Sequence, residues 1–210
     1  MHPWTLLAAL AAVYVPTLAV PGPNFLAVTR AALAAPRRIS VATALGVATG
    51  STVQAALAAA GVGVLLADHP DAQRAVALVG GFYLVVVARS IWRQAGMGMH
   101  AAAGGAPEPT DLPAAYRAGL LTNLTNPKAL VFFSTIFTAL VGPGVPSGLR
   151  IAAVAAICVL STSWHLALAT LFTHGGVRQV YAGVRPALLK LTAVAIGGFG
   201  MRLAWGAIRG

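Results

Sequence analysis

Long apolar runs recur along this chain, and two of them are broken by prolines flanked by amides, at Pro21-Gly22-Pro23-Asn24 and at Asn123-Leu124-Thr125-Asn126-Pro127-Lys128. Few features restrict a fold more. A proline removes an N–H and crowds the carbonyl four residues back, so each break inside hydrocarbon must find new partners within the protein. At the second break, Pro127 is expected to leave the Asn123 carbonyl without its helical donor. Asn126 then reads as the N-cap of a new half-helix and Pro127 as its first residue. Lys128 follows at once, ahead of the apolar run 130–140. A lysine at mid-membrane costs about 2.5–3.5 kcal/mol on insertion scales and marks a substrate or ion path. The positive end of a helix dipole beside an ammonium describes a carboxylate site.

Pro23 and Pro127 stand 104 positions apart in a chain of 210. That is almost half the length, as expected of two equivalent halves in tandem. Paired broken helices in corresponding positions point to the binding site of a secondary transporter.

The chain is 58% hydrophobic and only 9% charged, far from the roughly 25% charged of a soluble domain. It reads as an integral membrane protein. A net charge of +10 would suggest nucleic acid in a soluble chain, but here the basic residues lie singly between apolar runs and read as topology signals. Cys158 is alone, which excludes an internal disulfide and a two-cysteine redox motif, and it reads as a small buried apolar residue. Asp68, His69 and Asp71 read as a solvated turn with an N-capping aspartate, not as metal ligands. No basic region precedes the first apolar run, so no cleavable signal is expected.

Six spans are expected, at about 4–29, 41–66, 75–92, 116–140, 149–172 and 187–208. The Gly- and Pro-rich stretch 95–115 reads as a linker between a first three-helix half, 1–94, and a second, 116–210. An odd number of spans per half inverts the second half relative to the first. The expected fold is therefore an all-α polytopic membrane protein of two inverted three-helix repeats, with helices one and four broken. Gly46 and Gly50 in span two allow close helix approach. Arg30, Arg37, Arg38, Arg89, Arg93, Arg117, Arg178, Arg185 and Lys190 fall on one side, and Arg74, Arg150, Arg202 and Arg209 on the other. The positive-inside rule puts the first group in the cytoplasm and both termini outside.

The two breaks, together with Gly80, Tyr83-Leu84, Trp92-Arg93 and Gly200-Met201-Arg202-Leu203-Ala204, resemble the L-lysine exporter and homoserine/threonine resistance transporters (LysE/RhtB) of bacterial inner membranes over nearly the whole chain. The resemblance implies efflux of amino acids or close derivatives, driven by protons or the membrane potential. The chain departs from the family pattern in two places. Thr138-Ala139-Leu140 stands where relatives often have Pro-Gln-Phe, and Ser161-Thr162-Ser163 where many carry an aspartate.

The expected substrate is a small zwitterionic amino compound moved by alternating access, with no cofactor and no catalytic residue. Pro21, Gly22, Pro23 and Asn24 with Asn126, Pro127 and Lys128 would receive its carboxylate, and the Asn123 carbonyl its amino group. Gln54, Ser161, Thr162 and His165 are candidates for a polar path, His165 because it can titrate near neutral pH and pass a proton. A homo-oligomer in the lipid bilayer is compatible with all of this. A divalent metal-ion or other small-solute exporter would need His, Asp, Glu or Cys gathered on one cavity. An intramembrane enzyme would need a nucleophile with its base. Neither pattern occurs in the spans.

Overall fold

The computed structural model describes residues 3–20, 22–65, 70–96, 111–142 and 144–209, and every regular element among them is an α-helix. In chain order these are α1 Pro3–Leu18, α2 Pro23–Ala34, α3 Arg37–Leu65, α4 Pro70–Gln94, α5 Leu112–Leu124, α6 Pro127–Leu140, α7 Ser147–Leu171 and α8 Gly175–Arg209. Each anticipated break divides one apolar run into two helices. Both second halves, α2 and α6, carry proline in their first turn, where its missing N–H has no helical acceptor to lose.

The molecule is an all-α, polytopic membrane protein. Among the described residues three stretches, 37–61, 147–171 and 175–209, are each long and apolar enough to cross a bilayer. The pair α1 and α2, bent by 54°, makes a fourth if it is one broken span. The other two expected spans, 75–92 and 116–140, fall on α4 and on the pair α5 and α6. Helix α4 holds the apolar run 75–92 between Asp71 and Arg74 at its start and Arg93 and Gln94 at its end. Helices α5 and α6, of 13 and 14 residues, together supply about 40 Å of helix at 1.5 Å per residue, against a hydrocarbon core of about 30 Å.

Helix α8 begins at Gly175, well before the expected start near 187, and runs through Pro186 without ending. Tertiary packing supports the added turns. Tyr181 stacks on Phe25 and meets Phe172 edge-on, with ring centroids 5.3 and 5.2 Å apart, and its hydroxyl donates to the Ala19 carbonyl at 3.1 Å. Most of the expected linker, and the turn holding Asp68 and His69, lie outside the described residues. Asp71 sits in the first turn of α4.

The most extensive helix pairings are α4 with α8, α3 with α5 and α3 with α7. Glycine permits the closest of them. A Cβ on Gly46 would overlap the Tyr116 carbonyl, and one on Gly119 the Thr43 carbonyl, so the backbones of α3 and α5 touch. Gly81 and Gly200 meet in the same manner between α4 and α8, each position's Cβ falling 2.7 Å from the other's carbonyl oxygen. The main core gathers Leu6, Leu10 and Tyr14 of α1 with Phe132, Phe133, Ile136 and Phe137 of α6. Cys158 is only half-buried and borders an open groove with Arg150, rather than lying in the core. The cation over the exposed Trp205 ring is Arg209, at 4.3 Å, although Arg202 lies nearby.

Candidate functional site

The two breaks meet. Asn126 caps α6 by accepting from the Lys128 N–H at 3.0 Å through its side-chain oxygen, while its side-chain nitrogen donates to Asn24 Oδ1 at 3.2 Å. One amide therefore closes the second break and ties it to the first. Lys128 Nζ lies 3.8 Å from where a Cβ on Gly22 would stand. A small residue at position 22 leaves room for that ammonium. Gly22, Asn24, Asn123, Asn126, Lys128 and His165 all line one cavity of about 60 Å³, several times the ~10–15 Å³ that a single water requires.

The half-helix N-termini are not equivalent. Helix α6 is closed by Asn126, whose side chain takes the Lys128 N–H and whose carbonyl accepts from Ala129 and Leu130 at 3.0 Å each. Gly22 caps α2 with extended backbone and no side-chain bond. The first turn of α2 thus keeps donors that no capping side chain occupies. Among the described residues, Lys128 Nζ has no carboxylate partner, and none of the residues lining the cavity is Asp or Glu. The electrostatics of the cavity are those of an uncompensated cation beside a positive helix end.

The Asn123 carbonyl is not available to a ligand, contrary to the sequence expectation. It accepts from Gln54 Nε2 at 2.9 Å and from the Asn126 N–H at 3.0 Å. Proline did strip it of its helical donor, and α3, pressed against α5 through glycine, supplies a replacement. Gln54 therefore fastens the break and does not line the cavity. Asn123 still contributes its side chain, whose Nδ2 donates to Ser51 Oγ at 2.9 Å while Oδ1 is buried without a partner.

Pro23 and Pro127 hold the first positions of the half-helices. Pro21 lies outside the described residues. Ser161 reaches the site through His165, as its carbonyl lies 2.8 Å and its hydroxyl 3.3 Å from His165 Nδ1. Thr162 is half-buried on α7 and does not line the cavity. Sequence reading missed Tyr14, Phe25, Phe132 and Phe133, which supply most of the aromatic wall. For Tyr14 a signal existed. With Leu6 and Leu10 it forms an i, i+4 stripe, and a hydroxyl within a buried stripe needs a partner. Among the described residues no group of three or more His, Cys, Asp or Glu could hold a metal ion.

No solved structure matches the chain. Among curated proteins, it is 31% identical over 195 residues to the "uncharacterized membrane protein YahN" of Escherichia coli K12, covering 91% of this chain and 86% of that one. It is 29% identical over 201 residues to the threonine efflux protein of the same strain, covering 94% and 97%. Against the threonine efflux protein of Salmonella typhi the identity is 28% over 199 residues, with the same coverage. Residues 15–206 match the family described as LysE type translocator. The chain belongs to that family of transporters.

Proposed function

We propose that this protein exports an amino acid or close derivative across the bacterial inner membrane by alternating access, with the joined breaks as its binding site. The observation that carries this reading is the junction itself, where the Asn24–Asn126 hydrogen bond and the Lys128 ammonium beside Gly22 share one cavity. The substrate carboxylate would lie between Lys128 and the side-chain-uncapped first turn of α2. The threonine efflux relatives make L-threonine the first probe.

An inverted repeat relating α1–α4 to α5–α8 accounts for several pairings. Gly22 and Asn126 are both N-caps, Pro23 and Pro127 both open a half-helix, and Asn24 and Lys128 follow them. The contacts of α3 with α7 and of α4 with α8 map onto themselves under such a two-fold axis. Alternating access would rock one half against the other around the shared junction.

Purified protein in liposomes preloaded with L-threonine should release it faster than preloaded protein-free liposomes do, across an imposed proton gradient or membrane potential. The panel should include the other small amino acids. Release of none of them above the protein-free rate would sink the reading. The charge distribution supports non-cytoplasmic termini. A reporter that works only in the cytoplasm, fused after Gly210, should be silent, and strong signal from it would invert the topology.

A further inference from the structure

Three polar groups of the cavity wall lack a partner or a role in the carboxylate site: the outer nitrogen of His165, the Tyr14 hydroxyl and Asn123 Oδ1. His165 is buried on α7, and its Nδ1 lies 2.8 Å from the Ser161 carbonyl. A carbonyl only accepts, so Nδ1 carries the hydrogen, and the neutral ring presents Nε2 as an acceptor. Among the described residues nothing donates to Nε2. The Tyr14 hydroxyl, delivered by α1, is buried with no hydrogen bond of ordinary geometry. Its neighbours are the Ser161 and Ser51 hydroxyls. Asn123 Oδ1 is the third acceptor in this wall.

We propose that His165 Nε2, together with the Tyr14 hydroxyl in the wall of the same cavity, is the acceptor subsite for the substrate's ammonium group, and so sets selectivity for amino acids over acids that lack the amino group. This rests on the exporter reading above and names the half of the zwitterion that Lys128 does not take. An ammonium is donor-only and needs acceptors. Among the described residues no carboxylate lines the cavity, so neutral acceptors must serve. The wall also suits a cation in its aromatic character. Tyr14 lies 5.8 and 5.7 Å from the Phe132 and Phe133 rings, whose faces attract positive charge. Buried acceptors left unpaired by a deaminated acid would weigh against it strongly, because a site built to hydrogen-bond a group rejects the analogue lacking that group.

The test compares purified parent, His165→Leu, His165→Gln and Tyr14→Phe for binding of L-threonine and of 3-hydroxybutyrate, which is threonine without its amino group. The parent should favour threonine. His165→Leu should lower that preference about 10- to 150-fold, as expected for losing a hydrogen bond to a charged group, with 3-hydroxybutyrate binding little changed. His165→Gln places an amide oxygen near the position of Nε2 and should recover part of the preference. Tyr14→Phe removes only a hydroxyl and should lower the preference less than His165→Leu does. If His165→Leu fails to fold, Tyr14→Phe and His165→Gln still decide. Equal weakening of both probes, or an unchanged preference in the folded variants, would overturn the subsite and leave the exporter reading standing. A parent that binds neither probe nor any other amino acid would overturn both.

Discussion

Lys128→Met is expected to insert and fold at least as well as the parent, yet to bind its substrate about 10- to 150-fold more weakly. The two effects have one origin. Among the described residues the ammonium has no carboxylate partner, so its charge is held in the membrane at a cost of about 2.5–3.5 kcal/mol without compensation from the protein. Methionine fills a similar volume without that charge. The substrate carboxylate loses a charge-assisted hydrogen bond worth roughly 1.5–3 kcal/mol. Lys128→Arg keeps the charge, but its planar fork needs more room beside Gly22, where Nζ lies 3.8 Å from the missing Cβ. It should recover only part of the affinity. Folded protein in the membrane and initial export rate, measured together for all three versions, make the comparison. A Lys128→Met protein that exports as fast as the parent would show that Lys128 does not hold the substrate.

The sequence made the breaks legible because proline acts locally. Pro127 dictates where α6 begins whatever surrounds it, and Asn126 was readable as its cap for the same reason. That the two breaks touch was readable only through their spacing, which implies repetition and hence a shared axis. The finer arrangement depends on tertiary contacts that no local pattern carries. Gln54 is one turn beyond Gly50 on α3, but nothing in the sequence says that it reaches the Asn123 carbonyl 69 positions away. An expectation built on a freed carbonyl therefore failed at the point where another helix intervenes. The expected start of the last span, near 187, fell short of the helix for a similar reason. Hydropathy begins late there, while the first turns are held by Tyr181 packing on Phe25 and Phe172.

Gly46 and Gly119 should tolerate nothing larger than hydrogen, and Gly46→Ala or Gly119→Ala is expected to lower stability by about 1–3 kcal/mol, more if the helices must separate. In each case the new methyl meets a carbonyl of the facing helix, Tyr116 for Gly46 and Thr43 for Gly119, and backbone cannot rotate aside as a side chain can. Helix propensity works the other way, since alanine favours a helix over glycine by about 1 kcal/mol. Gly61 on the same α3 is the control, because among the described residues nothing lies within 4 Å of a Cβ placed there. Gly61→Ala should be neutral or mildly stabilising. Thermal unfolding of the purified proteins in one detergent separates the two cases. The damage should also reach the site, because Asn123 lies two turns after Tyr116 on α5 and takes its Gln54 bond across this same seam. Folded Gly46→Ala protein that survives should therefore show a larger loss of substrate affinity than Gly61→Ala. If Gly46→Ala unfolds at the same temperature as Gly61→Ala and binds substrate as well, α3 and α5 are not pressed together as described, and Gln54 does not hold the break in place.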